Sequence, residues 1–127
     1  VVERIGAIFK KQRKTLAQAK ILVVGVTYKK DVKDLRKSPA LRLMSLLQGC
    51  VKGVDYFDPI TPYLDIFDIH KKVSIDFSAQ NIRRYDCVII ATDHTQVDYD
   101  ALAQHAKMVF DTRNVYSGVT NKKIHRL

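Results

Sequence analysis

The chain predicts an α/β fold: a Rossmann-like, doubly wound, mostly parallel sheet preceded by an amphipathic helix. Three observations lead there. Two segments, Ile21-Leu22-Val23-Val24 and Cys87-Val88-Ile89-Ile90-Ala91, are apolar at every position. A strand with one wet face alternates apolar and polar residues, so an unbroken run marks a strand covered on both faces, as in parallel sheets. Between these and other short strand-like runs lie segments of helical period, the pattern of parallel crossover units. Finally, 127 residues of which 46% are hydrophobic are enough to fill a single core.

Each element has its own signal. Val1, Ile5, Ile8, Phe9 and Leu16 fall near helical spacing with charges between them, which predicts an amphipathic helix from residue 1 to about 18. Residues 1–19 are therefore expected to be a linker helix from a region upstream, and residues 20–127 the domain proper; the absence of an initial Met suits a fragment. Lys20 to Val26, ending at Gly25-Val26, is the expected central strand. Ser38-Pro39 supplies an N-cap and a proline at the first helical position, Leu41, Leu43, Met44, Leu46 and Leu47 the apolar face, and Gly49 the stop. Val54 to Asp58 is a second strand closed by Pro59, and Val73 to Asp76 a short edge strand. Tyr85 to Thr92 is a third long strand, Asp98 to His105 a short helix capped by Asp98, and Met108 to Arg113 a last strand.

The net charge of +9 is unevenly placed: residues 1–30 carry a local +7, and residues 31–127 only +2. Lys10, Lys11, Arg13 and Lys14 suit a solvated helix face, whereas Lys29-Lys30 follow a strand, where α/β proteins often bind phosphate. A basic nucleic-acid-binding domain is the competing reading, but localised basicity does not favour it, and neither nucleic acid nor a membrane is expected as a partner. No apolar run approaches the roughly 20 residues of a bilayer span, and the first residues do not read as a signal peptide. Two scattered cysteines, Cys50 and Cys87, make neither a disulfide framework nor a zinc site, and a reducing cytoplasm fits them. Cys87 lies in an apolar strand and reads as an inert buried thiol.

In a doubly wound sheet ligands gather at the carboxyl ends of the strands, which selects residues 27–36, 58–62, 92–96 and 112–116. The first of these lacks the GxGxxG spacing of a dinucleotide turn, but places four cations and two carboxylates at the rim before the helix start at Ser38. Lys29 can meet a phosphate as a mobile point charge, and Arg36 can clamp another with two parallel hydrogen bonds. The same residues also suit a charged surface loop whose Lys and Asp pair with one another. Asp93 and His94 lie at a strand end without a nucleophile of recognisable context, so His94 reads as a loop hydrogen-bonder or cap. Asp58-Pro59 and Thr61-Pro62 read as turns, since proline removes the donors a phosphate would need. A stand-alone flavodoxin-like binding or regulatory module is a further reading. The first strand, however, ends in Gly25-Val26-Thr27-Tyr28-Lys29, without the acidic pair of a phospho-receiver.

Gly25 to Leu43, GVTYKKDVKDLRKSPALRL, resembles the segment that opens the last domain of UDP-glucose/GDP-mannose dehydrogenases. Tyr56-Phe57-Asp58-Pro59, Asp86 to His94, and Phe110-Asp111-Thr112-Arg113-Asn114 resemble the later strands of that domain, in order, so that residues 20–116 are covered. Thr92 to Thr95 and Asp111 to Asn114 are more similar to the branch acting on UDP-N-acetylhexosamines. The resemblance implies part of an enzyme that oxidises the primary alcohol of a UDP-sugar to a carboxylate in two NAD-dependent hydride transfers, through a thioester on a cysteine, in surface polysaccharide precursor synthesis. It further implies an N-terminal domain holding NAD, a middle helical region that makes a homodimer or higher assembly, and a last domain covering the substrate's nucleotide. By position Tyr28, Lys29 and Arg113 match residues contacting the UDP-sugar, and Arg36 one reaching the NAD pyrophosphate. Lys37 departs from the acidic residue usual after that arginine. Neither Cys50 nor Cys87 has the context of the catalytic cysteine, so no catalytic residue and no metal ligand is assigned.

Overall fold

In the computed structural model, which describes residues 1–127, the chain opens with helix α1, Val2–Lys11. The predicted helix to residue 18 is cut short: Arg13 takes φ 59°, which ends it, and only a 3-10 turn at Leu16–Gln18 follows. Strand β1 is Lys20–Val24, helix α2 Pro39–Gln48 and strand β2 Gly53–Phe57. Strands β3, Tyr63–Ile66, and β4, Ile69–Val73, form an antiparallel hairpin. The expected edge strand at 73–76 is thus replaced by a hairpin that ends at Val73. Beyond it, the Ile75 amide donates to the Tyr56 carbonyl. Helix α3 is Ala79–Ile82, β5 Cys87–Ile90, α4 Tyr99–His105, β6 Val109–Asp111 and β7 Ile124–Arg126. Hairpin strand β3, helix α3 and strand β7 have no counterpart in the sequence reading.

Five strands make one sheet in the order β2-β1-β5-β6-β7, and every neighbouring pair is parallel. The apolar runs explain themselves here. Ile21 and Val23, with Cys87 and Ile89, face one core, closed by Ile5 and Phe9 of α1, by Ala40, Leu41, Met44 and Leu47 of α2, and by the hairpin. Leu22 and Val24, with Val88 and Ile90, face the other, closed by Ile82 of α3 and Leu102 of α4. The two-residue period of a strand sends neighbours to opposite faces, so both faces must be apolar when both are covered.

The helix caps show two different uses of a short polar side chain. Asp98 caps α4 as expected, accepting the Ala101 amide at 3.0 Å. Ser38, the expected cap of α2, makes no such bond; its hydroxyl donates to the Val26 carbonyl at 2.6 Å and ties the end of the β1 loop to the helix start.

Gly25, at the end of β1, takes φ 84°, and a Cβ there would stand 2.0 Å from the Thr92 carbonyl oxygen. The backbone of the loop after β5 occupies the space a side chain would need. Gly25→Ala should therefore cost both the left-handed strain and a backbone displacement, more than about 2 kcal/mol. Urea denaturation checks it, and an unchanged midpoint would show that the close approach is not maintained.

Candidate functional site

From β1 the chain proceeds to β2 on one side, and from β5 to β6 on the other, although β1 and β5 are neighbours. The chain leaves them toward opposite sides of the sheet, and the carboxyl rim at such a switch point is where ligands of open α/β sheets gather. The floor of this rim is a buried polar cluster. The Asp58 carboxylate, 3% exposed, accepts the Val26 amide at 2.8 Å through Oδ2, and the Ile60 and Thr61 amides at 2.8 and 3.0 Å through Oδ1. Hence Asp58 shapes the expected turn, and also holds the β1 end against the β2 end.

His94, fully buried, completes the floor. Its Nδ1 accepts the Asp31 amide at 2.8 Å, so the ring proton lies on Nε2, which donates to Asp58 Oδ2 at 2.9 Å. Thr27 lies 3.1 Å from the same nitrogen, and its hydroxyl donates to the Lys29 carbonyl. The Thr92 hydroxyl donates to the Thr27 carbonyl, and the Tyr99 hydroxyl to that of His94. The Tyr116 hydroxyl donates in turn to the Tyr99 carbonyl; burial raises both phenols above their usual pKa, so both remain donors. His94 is thus a buried strut, and the one hydroxyl beside its Nε2, that of Thr27, is committed to the Lys29 carbonyl.

Above this floor the loop 28–36 is closed on itself. The Tyr28 amide donates to the Asp34 carbonyl, and the Asp31 carboxylate accepts the Thr95 amide at 2.8 Å and the Thr95 hydroxyl at 3.0 Å. The Thr95 amide, foremost, holds the Asp31 carboxyl below the usual 3.8. Tyr28 and Lys29 are exposed, with the Lys29 ammonium 5.9 Å from the centre of the Tyr28 ring. Arg113 is carried by a turn in which Asp111 accepts the Arg113 and Tyr116 amides. Its Nε lies 3.4 Å from Asp93 Oδ1, and Lys30 Nζ lies 3.9 Å from Oδ2 of the same carboxylate. Loops after β1, β5 and β6 therefore meet at Asp93, which stands between the two cations.

Arg36 is not drawn into that group. Its guanidinium, 88% exposed, forks onto Asp34, Nε to Oδ1 at 3.2 Å and Nη2 to Oδ2 at 3.3 Å. The pair lowers the Asp34 pKa and raises that of Arg36. An acidic partner is thus present two residues before the arginine, although Lys37 follows it. Sequence reasoning placed Asp34, Asp93 and Lys30 at this rim, with an Arg113–Asp93 clamp as the alternative to a ligand role, but assigned none of the three to the site. The Asp-Leu-Arg spacing was the available signal for the first, and the position just past β5 for the second.

The family model described as the UDP-glucose/GDP-mannose dehydrogenase family, UDP binding domain, matches residues 22–118. A UDP-N-acetyl-D-mannosamine dehydrogenase of Methanococcus maripaludis is 31% identical over 108 residues, 79% of this chain and 24% of that protein. A UDP-glucose 6-dehydrogenase of Rickettsia felis is 29% identical over 111 residues, 82% of this chain and 25% of that protein. Among solved structures, a UDP-N-acetyl-mannosamine dehydrogenase of Staphylococcus aureus superposes with a TM-score of 0.70 at 26% identity, over 98% of this chain and 29% of that one. The chain spans about a quarter of the length of the curated relatives it matches.

Two outcomes test the floor and the loop. Asp58→Ala leaves three amides and the His94 proton without their acceptor and should cost about 3–5 kcal/mol in urea unfolding, with Asp58→Asn losing less. For Asp31, whose folded pKa lies below 3.8, the clasp contributes stability above the unfolded value and loses it as pH falls through the lower folded one. The Thr95 amide signal should therefore titrate with a midpoint below 3.8; a midpoint at 3.8 or higher would remove the clasp.

Proposed function

This chain belongs to the UDP-glucose/GDP-mannose dehydrogenase family, as a UDP-binding domain, and on that premise we propose that the carboxyl rim between β1 and β5 takes the nucleotide end of a UDP-sugar. The sugar is UDP-glucose or a UDP-N-acetylhexosamine, and the whole enzyme oxidises its primary alcohol to the uronic acid with NAD, supplying surface polysaccharide precursors. The observation that carries the reading is the agreement of the family match with the switch-point rim, which bears Tyr28 and Lys29 on one anchored loop and Arg113 on another. An exposed phenol ring beside a lysine suits a nucleoside above a phosphate. A diphosphate suits Lys29 and Arg113, with Asp93 giving up Arg113 at small cost, since exposed ion pairs contribute about 0–1 kcal/mol.

NAD chemistry, the removal of hydride, would come from a domain preceding residue 1, with residues 1–19 as the linking segment and a homodimer or larger assembly in the cytoplasm. The cradle of a dinucleotide does not fit here. The single Gly25 after β1 gives its free space to the Thr92 backbone, so no ligand phosphate can approach it. The contribution of this chain is the Arg36 guanidinium, oriented by Asp34 and open to solvent on its other side. No nucleophile is proposed either: Cys87 is buried, which pushes its thiol pKa far up, and Cys50 is an exposed thiol beyond the end of α2.

UDP titrated into the chain should shift the amide signals of Tyr28, Lys29 and Arg113 at weak affinity, and should leave those of α1 unmoved. Lys29→Ala or Arg113→Ala should each weaken binding by about 1.5–3 kcal/mol as a charge-assisted contact is lost. Shifts centred elsewhere would relocate the site. With NAD and UDP-sugars the chain alone should produce no NADH, because it holds contacts without the chemical groups. In a full-length enzyme Arg36→Ala should raise the apparent constant for NAD more than that for the UDP-sugar; an equal effect on both would make Arg36 a loop residue.

A further inference from the structure

The amino ends of the five parallel strands form a second rim, opposite the first, and cations are gathered along it. β1 begins at Lys20, Lys52 immediately precedes β2, and Arg83 and Arg84 stand just before β5. Lys107 precedes β6, and Lys122 and Lys123 precede β7. The last turn of α1 adds Lys10 and Lys11, and Arg13 and Lys14 line a 270 Å³ hollow that ends on Asp86 at the start of β5. Eleven of the 22 Lys and Arg thus share one end of the molecule, where Asp55, Asp76 and Asp86 are the neighbouring carboxylates. The other eleven face ten carboxylates, so nearly all of the +9 belongs to this end.

None of these cations is in an ion pair, although Arg83 donates a hydrogen bond to the His105 ring at 2.8 Å. The ion pairs of the structure engage Lys30, Arg36, Lys72 and Arg113, none of which is on this rim. Asp55 is taken by Lys72 and the Tyr85 hydroxyl, and Asp86 by the Lys20 amide. Ten of the eleven are exposed, while Lys123 is half-buried with its ammonium on the Gln104 carbonyl. Of the exposed large apolar side chains, Val73 shares a hollow with the rim cation Arg84 while Phe67 and Leu46 lie elsewhere, and one valine does not make an apolar anchor. The lack of exposed aromatic rings excludes stacking on single-stranded bases. Eight of the eleven are lysines, mobile point charges in place of the bidentate forks that read defined phosphates. The rim of five strands is roughly 20 Å long.

We propose that this rim is an electrostatic docking surface for an anionic phospholipid bilayer, one that turns the carboxyl rim toward the aqueous side. No helix of the chain is long and apolar enough to cross a membrane, so the contact is peripheral and made by charge alone. The test is co-sedimentation of the chain with vesicles of 30% phosphatidylglycerol in phosphatidylcholine. Binding is expected at 50 mM salt and not at 500 mM, and not to pure phosphatidylcholine. The triple variant Lys52→Glu/Arg83→Glu/Arg84→Glu should lose about 100-fold in affinity while keeping the UDP-induced shifts, which certify its fold. Arg42→Glu/Lys71→Glu, away from the rim, should bind vesicles within about threefold of the parent chain, allowing for its lower net charge. Equal losses in both variants, or no binding to the anionic vesicles at low salt, overturn the proposal. So does binding of duplex DNA as tight as that of the vesicles and equally lost in the triple variant, which would mark a general polyanion surface.

Discussion

Everything at the carboxyl rim of the sheet depends on one buried carboxylate. Asp58 sits where three loops leave the sheet, and with its two oxygens it takes the amide of Val26 after β1, those of Ile60 and Thr61 after β2, and the ring proton of His94 after β5. A carboxylate can be kept in such a place only if its lone pairs are met by donors, because an unpaired buried charge costs several kcal/mol. Those four donors come from three different turns. Satisfying Asp58 therefore fixes the turns relative to one another, and the rim inherits a rigid floor.

That floor explains the division between buried and exposed polar groups. His94 uses both nitrogens on the protein, one accepting from Asp31 and one donating to Asp58, and has no capacity left for a ligand. Thr27, Thr92 and Tyr99 likewise spend their hydroxyls on carbonyls. What remains open to solvent is the rim, where the proposed ligand contacts stand: Tyr28 and Lys29 on a loop closed by Asp34 and Asp31, and Arg113 on a turn shaped by Asp111. Rigid backbone with mobile cationic tips is the arrangement that lowers the ordering cost of binding a diphosphate.

Legibility in the sequence followed the physics of each element. The central strands were plain because burial on both faces leaves an unbroken apolar run, and α4 because Asp98 caps it locally. The β3–β4 hairpin was missed because its alternation is broken by positive-φ residues, Phe67 at the turn and Lys71 within β4. β7 was missed because Ile124-His125-Arg126 carries a single buried apolar residue and is held by pairing with β6. Tyr28, Lys29, Arg36 and Arg113 were placed at the rim by position. Pairing of the loop cations with Asp residues, Arg113 with Asp93 among them, was the alternative reading, but the Asp34–Arg36 fork was not named. Asp34 and Asp93 act through loop closure, and a contact between loops that follow β5 and β6 leaves no local periodicity. Ser38 shows the converse: its local signal as a cap was sound, and the Val26 carbonyl won its hydroxyl through tertiary contact.

The charge distribution shows the same limit from the other side. Along the sequence the basic excess seemed confined to the first 30 residues, since the later cations, Lys52, Arg83, Arg84, Lys107, Lys122 and Lys123, are spread over a stretch that holds twelve of the thirteen carboxylates. A parallel sheet re-sorts them. Every strand enters from the same end, so a residue type favoured just before strands accumulates there, and one favoured just after them accumulates opposite. Here carboxylates follow strands: Asp58 after β2, Asp93 after β5, and Asp111 as the last residue of β6. They are consumed in shaping loops and pairing cations, while the lysines and arginines that precede strands meet no such partners. The two ends of one sheet thus acquire opposite electrostatic characters, one internally compensated and selective, the other uncompensated and long-ranged within the roughly 10 Å that salt permits.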